Sequence, residues 1–473
     1  MNKLKLVFLF SCIFTSVEAK VKLVSIFTDH MVLQQKTDAA IWGWAKSGST
    51  VQVITSWNKK TYAVKADAAG KWKVKVNTPA AGGPYEISFS DGEVLKLKDI
   101  LIGEVWFCGG QSNMEMPMKG YRSQPILGSN EVILKSNNPN IRLYTVPRWS
   151  ITERQENSKP SDWKVAGPET VSNFSATGYY FGSLLYEMLD VPIGLINDNY
   201  GGSSVEAWMS PEDLKSFPEI KVPAKTDTIK EVSRTPTTLY NGMIHPVIGF
   251  GVRGVIWYQG ESNYDRPDQY VSLFPAMVSS WRKAWEIGEF PFYYAQIAPF
   301  VYDYPNTDQS NVKLNSAYLR DAQRLASAKI PNSGMAVLMD IGDEQNIHPA
   351  NKRDVGHRLA YLALAKTYGI KGFGSESPFY DSIVVDKDKL TVKFQNVPNG
   401  LTSFGKELRL FELAGEDKKF YPAKALISGN NIHVTSSEVK NPVAVRYAFK
   451  NYVKGDLFGN DGLPVSSFRS DSW

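Results

Sequence analysis

Cysteine is nearly absent, with two residues, Cys12 and Cys108, in 473. Cys12 lies in a leader that reads as removable, which leaves one thiol. A single thiol excludes an internal disulfide and a cysteine-based zinc site in the mature chain. Histidine is scarce as well, at five residues, so a catalytic base can be sought by elimination. Charge of one sign is lacking: 53 Lys and Arg stand against 48 Asp and Glu, a formal net charge of +5. No cluster of Lys or Arg forms the footprint that nucleic-acid binding needs, and no nucleic-acid partner is expected. The chain contains no Gly-x-x-x-x-Gly-Lys-Ser/Thr, and no Gly-x-Gly-x-x-Gly opens a helix, which removes the usual phosphate cradles. Beyond the N-terminus no apolar run is long enough to span a bilayer.

What is present describes a folded chain with ample core: 43% hydrophobic, 12% aromatic and 21% charged residues. The length suggests roughly three domains. Met1-Asn-Lys-Leu-Lys5, an apolar run from Leu6 to Phe14, and small residues up to Ala19 read as a signal peptide over 1–19, cut before Lys20. The expected location is periplasmic or secreted. Removal takes away Lys3, Lys5 and Glu18 and lowers the formal charge from +5 to +4. Lipid anchoring at Cys12 is a lesser alternative, because the bulky Phe10 fits an acylation site poorly. A chain of this size buries enough surface to be exported without disulfides.

Residues 20–98 alternate apolar and polar in period two, as in Val51-Gln-Val-Ile-Thr55 and Trp72-Lys-Val-Lys-Val76, and predict a β-sandwich. From 99 to 374 short apolar strands alternate with helical segments, the pattern of a parallel sheet with crossover helices. Strands are expected at 105–108, 192–196, 254–258 and 334–339, and a helix at 175–189. From 375 to 473 the alternation returns and predicts a second β domain. Asp213 to Thr237, rich in Lys, Pro and Thr, reads as a surface excursion.

The organising stretch is Gly103 to Met118. Val105-Trp-Phe-Cys108 reads as a strand buried on both faces, stopped by Gly109-Gly110 and followed at once by Gln111-Ser112-Asn113. A serine just past the carboxyl end of a buried strand sits where open α/β sheets do their chemistry. Taken alone, the block also reads as a polar turn with a structural serine. Acyl transfer needs a nucleophile, a base and donors for the oxyanion. Ser112 is the nucleophile candidate. The Asn199–Trp208 loop offers glycine N–H groups, and Tyr258-Gln-Gly-Glu-Ser-Asn263 offers the side-chain amide of Gln259 or Asn263. His30 and His433 fall in β segments and His357 in an amphipathic helix expected to be solvated. His348 before Pro349, at an expected helix start, is the base candidate and His245 the runner-up.

Gly110-Gln-Ser-Asn-Met114, Asn199-x-Gly-Gly-x-x-x-Glu-Ala-Trp208, Trp257-Tyr-Gln-Gly-Glu-Ser-Asn263 and Ile347-His-Pro-x-Asn-Lys352 occur in one order. Tyr240-Asn-Gly-Met-Ile-His-Pro246, Val445-Arg-Tyr-Ala-Phe449 and Gly462-Leu-Pro464 join them. The set resembles the sialate O-acetylesterase family of the SGNH hydrolases across nearly the whole mature chain. The resemblance implies an α/β fold, an SGNH-type three-layer α/β/α core around a parallel sheet with flanking all-β domains. It implies a serine esterase that removes O-acetyl groups from a carbohydrate, O-acetylated sialic acid first among them, without metal or cofactor, acting on a small-molecule or glycan substrate. Ser112 would be the nucleophile and His348 the base. The N–H groups of Ser112 and of Gly202, with a side chain from Gln259 to Asn263, would hold the oxyanion. Gln111 and Glu261 lie within the same blocks as substrate-binding candidates. Many SGNH enzymes carry an Asp three residues before the histidine, but Gln345 stands there. Asp343 is carried as the tentative acid; Glu344, Asp340 and a backbone carbonyl remain alternatives. Trp149, Trp208 and Tyr264 are candidate walls for a sugar groove, and Arg122, Arg148, Arg253, Arg266 and Arg320 candidate partners for a sialate carboxylate. Deacetylation of a plant polysaccharide such as xylan is the nearest alternative activity, and a non-catalytic glycan-binding protein the alternative of another class.

Overall fold

One strand joins two of the expected domains. Val94–Gly110 runs for 17 residues, and its first six alternate between wet and sheltered while its last eleven are all buried. The change follows the sequence: Val94-Leu-Lys-Leu-Lys98 alternates, whereas Leu101 to Cys108 is nearly continuous apolar text. A computed structural model describes residues 20–302 and 315–473. The expected leader over 1–19, with Cys12, lies outside the described residues. The division expected at 98/99 falls inside this strand. Its first half pairs antiparallel with Gly82–Ser90, and its second half forms the centre of a parallel sheet. Lys22–Leu23, Asp38–Trp44 and Lys71–Asn77 make the facing sheet of the N-terminal β unit.

Across the central sheet the order is Lys164–Ala166, Asn138–Thr145, Ile193–Asn199, Val94–Gly110, Gly254–Tyr258, Phe292–Ala295 and Ser333–Ala336. All neighbours are parallel except Lys164–Ala166 on Asn138–Thr145. Asn138–Thr145, Lys164–Ala166 and Phe292–Ala295 were not among the expected strands: the first opens on Asn-Pro-Asn, which reads as a turn, and the other two have only three and four residues. Side chains of the long strand alternate between faces. Val105 and Phe107 join a core with Phe274, Trp281 and Leu319 of helices Pro267–Trp285 and Asn315–Ala326. Trp106 and Cys108 join Tyr180, Leu185 and Leu359 of helices Ala176–Leu189 and Lys352–Lys366. The result is three layers, helices on both faces of one sheet.

After Phe379 the chain is β again. Phe379–Asp386, Lys389–Gln395, Asn431–Thr435 and Lys424–Ser428 form one four-stranded sheet. Phe420–Pro422, Phe411–Ala414, Ala444–Tyr447 and Phe468–Arg469 form another. Among the described residues no helix is long and apolar enough to cross a membrane.

Candidate active site

The sheet register sets the geometry. Gly110 pairs with Asn199 on one side and Tyr258 on the other, so three strands end level and their loops leave from one point. Gly110 has φ of 146°, and a Cβ there would lie 2.2 Å from the Tyr258 carbonyl oxygen, so only glycine allows the turn. Gln111 N–H then donates to that carbonyl at 3.0 Å, and its side-chain oxygen accepts from Gly260 and Ser262 N–H at 3.2 and 3.3 Å. Gln111 therefore buckles the Ser112 turn to the Gln259–Asn263 loop. Ser112 opens a single turn of helix, Ser112–Glu115, and is partly open to solvent.

His348 arrives from the loop after Ser333–Ala336, three strands away from Val94–Gly110. Its Nε2 lies 2.8 Å from Ser112 Oγ. Its Nδ1 lies 2.7 Å from Gln124 Oε1. With Nδ1–H donating to the amide oxygen, Nε2 is left as the acceptor of the serine proton. Gln124 sits in a tight turn closed by mutual backbone hydrogen bonds with Tyr121, behind Gly120 at φ of 79°. No sequence signal marked it, because a polar residue in a loop has nothing periodic about it. Tyr121 lies edge-on to the imidazole at 5.4 Å between ring centroids.

The expected acid is not at this position. Asp343 accepts from Gln345 and Asn346 N–H, both at 2.9 Å, and so caps its own loop. Asp340 is taken by Arg358 at 2.7 and 2.6 Å. Glu344 is exposed. The helix after His348 begins at Lys352, with Asn351 as its cap, rather than at Pro349. The other histidines lie elsewhere: His30 on Asp99, His245 on the Gln155 carbonyl, and His433 on Thr391. His357 is half-buried between the rings of Tyr180 and Tyr361 rather than solvated.

The oxyanion candidates divide. Gln259 Nε2 donates to the Ser203 carbonyl and to Asn263 Oδ1, at 3.0 and 2.7 Å, and its oxygen accepts from Tyr270. Both of its N–H groups are engaged, so it scaffolds the loop. Asn263 accepts from Val205 N–H at 2.9 Å and donates to Glu206 at 3.0 Å, pinning the Asn199–Trp208 loop. Gly201 packs against Ser112, and its N–H donates to Glu115 Oε2 at 2.9 Å. Among the described residues the N–H groups of Ser112 and Gly202 donate to no protein acceptor. Glu115 also pairs with Arg148, whose guanidinium lies 4.9 Å from the Tyr200 ring centroid.

Under the pair lies a buried polar knot that the motifs contained but did not interpret. Asn113 accepts from Lys352 Nζ at 2.5 Å and donates to Glu261 Oε1 at 2.5 Å and to the Ile347 carbonyl at 3.0 Å. Burial pushes Lys352 down to about 7, against the pull of Glu261. Burial raises the Glu261 carboxyl. Burial, and secondarily the Lys352 charge, hold His348 at about 4 in place of its ordinary 6.5, so the imidazole is neutral at physiological pH. No group of three or more metal-binding side chains lies among the described residues.

Of the groove candidates, Trp208 is fully buried and bonded to Ser203, so it belongs to the core. Tyr264 stacks on Tyr302 at 4.3 Å, and Trp149 is half-buried. Among the arginines, Arg253 pairs with Glu104, Arg266 with Glu206, and Arg320 is buried beneath the C-terminal segment. Arg122 is exposed. Arg148 is half-exposed and borders Gly201.

Residues 102–365 match the family described as carbohydrate esterase, sialic acid-specific acetylesterase. The sialate O-acetylesterase of Homo sapiens is 31% identical over 393 residues, covering 76% of this chain and 74% of its own. That of Mus musculus is 30% identical over 413 residues, with 76% and 75% covered. A carbohydrate acetylesterase from Xanthomonas citri superposes with a TM-score of 0.86 at 35% identity, over 96% of this chain and 100% of its own. The likeness spans the core and its β flanks together, and the chain belongs to the carbohydrate esterase family of the sialic acid-specific acetylesterases.

Proposed function

We propose that the protein hydrolyses O-acetyl esters of a sugar through an acetyl-enzyme on Ser112, with O-acetylated sialic acid as the substrate. The observation that carries the reading is the chain of contacts from Ser112 Oγ to His348 Nε2 at 2.8 Å and from Nδ1 to Gln124 at 2.7 Å. Ser112 Oγ attacks the acetyl carbonyl while His348 Nε2 takes its proton. The oxyanion is held by the N–H groups of Ser112 and Gly202, a role Gly201 cannot share because its N–H is given to Glu115. His348 returns the proton to the departing sugar oxygen. Water, deprotonated by the same imidazole, then releases acetate and frees Ser112. We assign the sialate carboxylate to Arg148, which is paired with Glu115 as Arg253 and Arg266 are with their carboxylates, but is more exposed than either and stands beside the glycine turn. The leader over 1–19 supports action outside the cytoplasm, in the periplasm or secreted. N-terminal sequencing of the mature protein checks this, with Lys20 expected first.

The test is acetate release from O-acetylated sialic acid and from acetylated xylan, with Ser112→Ala as the blank. Preference for the sialic acid supports the reading. Release from xylan alone keeps the chemistry and moves the substrate. No Ser112-dependent release from either turns the assignment to glycan binding without catalysis.

A further inference from the structure

We infer that Lys352, Asn113 and Glu261 are positioning residues, a buried clamp that locks the turn carrying Ser112 to the loop carrying His348. The inference rests on reading Ser112 and His348 as the reacting pair. Asn113 follows the serine and Ile347 precedes the histidine, and the Asn113 amide donates to the Ile347 carbonyl at 3.0 Å. One hydrogen bond thus joins the immediate neighbours of nucleophile and base. The two free arms of the same amide are held from opposite sides, by Lys352 Nζ and by Glu261 Oε1, each at 2.5 Å. Glu261 comes from the loop after Gly254–Tyr258, and Lys352 from the first turn of the helix after His348. Three loops that leave different strands are therefore tied at one side-chain amide.

The placement is costly, which argues against a role in stability alone. Lys352 has no exposed surface and Glu261 is 5% exposed. A buried charged pair commonly gains less than its desolvation costs. Lys352 is also the first residue of its helix, where the macrodipole disfavours a cation. Among the described residues Glu261 Oε2 has no hydrogen-bond partner. Lys352 faces Glu261 across the amide, the Tyr258 ring at 5.7 Å, and His348 in its own loop. Glu261 acts in turn on Tyr258, Tyr270 and Tyr302, and Arg320 on Tyr302. The Lys352 cation repels a proton on His348, so the clamp also favours the free base that the reaction needs.

The closing experiment compares Lys352→Met, Asn113→Ala and the double variant with wild type in steady-state acetate release across pH. The clamp predicts a loss of roughly tenfold to a hundredfold in kcat for each single variant, with KM changed by less than about twofold, because small misplacements of reacting groups cost rate rather than binding. The double variant loses no more than the worse single one, since the residues act as a unit. In Lys352→Met the acid limb of kcat/KM also moves to higher pH, which a merely structural residue would not cause. Wild-type kcat in both single variants, or an unmoved acid limb in a folded Lys352→Met, overturns the clamp. If Lys352→Met loses its near-ultraviolet dichroism, Asn113→Ala decides alone: a fall in kcat at constant KM upholds the clamp and wild-type kcat overturns it. Absence of Ser112-dependent acetate release from wild type is a different result, which removes the reacting pair and the clamp with it.

Discussion

His348 is oriented by a neutral amide where serine hydrolases commonly use a carboxylate. An amide oxygen fixes the tautomer as an Asp would, but gives less stabilisation to the imidazolium formed during attack. Gln124→Ala is expected to lose about 1 kcal/mol of transition-state stabilisation, the value of a neutral hydrogen bond, or roughly fivefold in kcat. Gln124→Glu places an anion beside Nδ1 and moves the acid limb of kcat/KM to higher pH. An unchanged pH profile in that variant would show that residue 124 does not address His348. For wild type the sign is set by burial: with His348 held at about 4, the free base persists well below pH 6.5, and kcat/KM keeps its plateau to about pH 5. A midpoint near 6.5 would contradict the buried environment. Folding follows the same sign. The folded pKa lies below the unfolded one, so protonation favours the unfolded chain and stability declines as pH falls from 6.5 towards 4.

At the scale of elements, the turn carrying Ser112 is held by its neighbours more than by itself. A helix of one turn has no independent stability. Ser175 Oγ caps helix Ala176–Leu189 by accepting from Gly178 N–H at 2.9 Å, and donates to the Met114 carbonyl at 2.5 Å. One hydroxyl thus joins a long helix to the Ser112–Glu115 turn. Ser175→Ala should cost about 2 kcal/mol, from a lost cap and an unsatisfied buried carbonyl, measurable in urea unfolding. A change under about 0.5 kcal/mol would mean that the cap is dispensable. The 175–189 helix, the strand ends at Ser112 and Gln259, and the β character of both flanks were legible in the sequence because each rests on periodicity or on glycine. The partner of Nδ1 was not, since Gln124 is brought to His348 across 224 positions by a loop with no periodicity.

For the molecule as a whole, the C-terminal β unit is riveted to the core. Arg320, fully buried and lowered to about 10 by that burial, donates to Ser467 Oγ at 3.1 Å and to the carbonyls of Asn451 and Lys450. Gln296 reaches Ser466 at 2.8 Å, and Asp321 pairs with Arg469 at 3.1 Å. Arg320→Leu removes three hydrogen bonds across the junction, although the Asn451 carbonyl keeps Phe300 N–H at 3.1 Å, and should destabilise the fold by on the order of 3 kcal/mol, with turnover per folded molecule unchanged. Hydrogen exchange should quicken first in the strands after Phe411; exchange at the wild-type rate there would show that the junction does not depend on this arginine. From the residues alone came the class of fold, the order of its parts and Ser112, His348 and the glycines near them as candidates, because alternation, buried runs and turn residues are local properties of the chain. Tertiary structure decided the rest: which strand crosses from one domain into the next, which amide faces His348, and which N–H groups beside Ser112 have no acceptor among the described residues. Those depend on register and on loops meeting from separate strands, and neither is written in the residues that flank them.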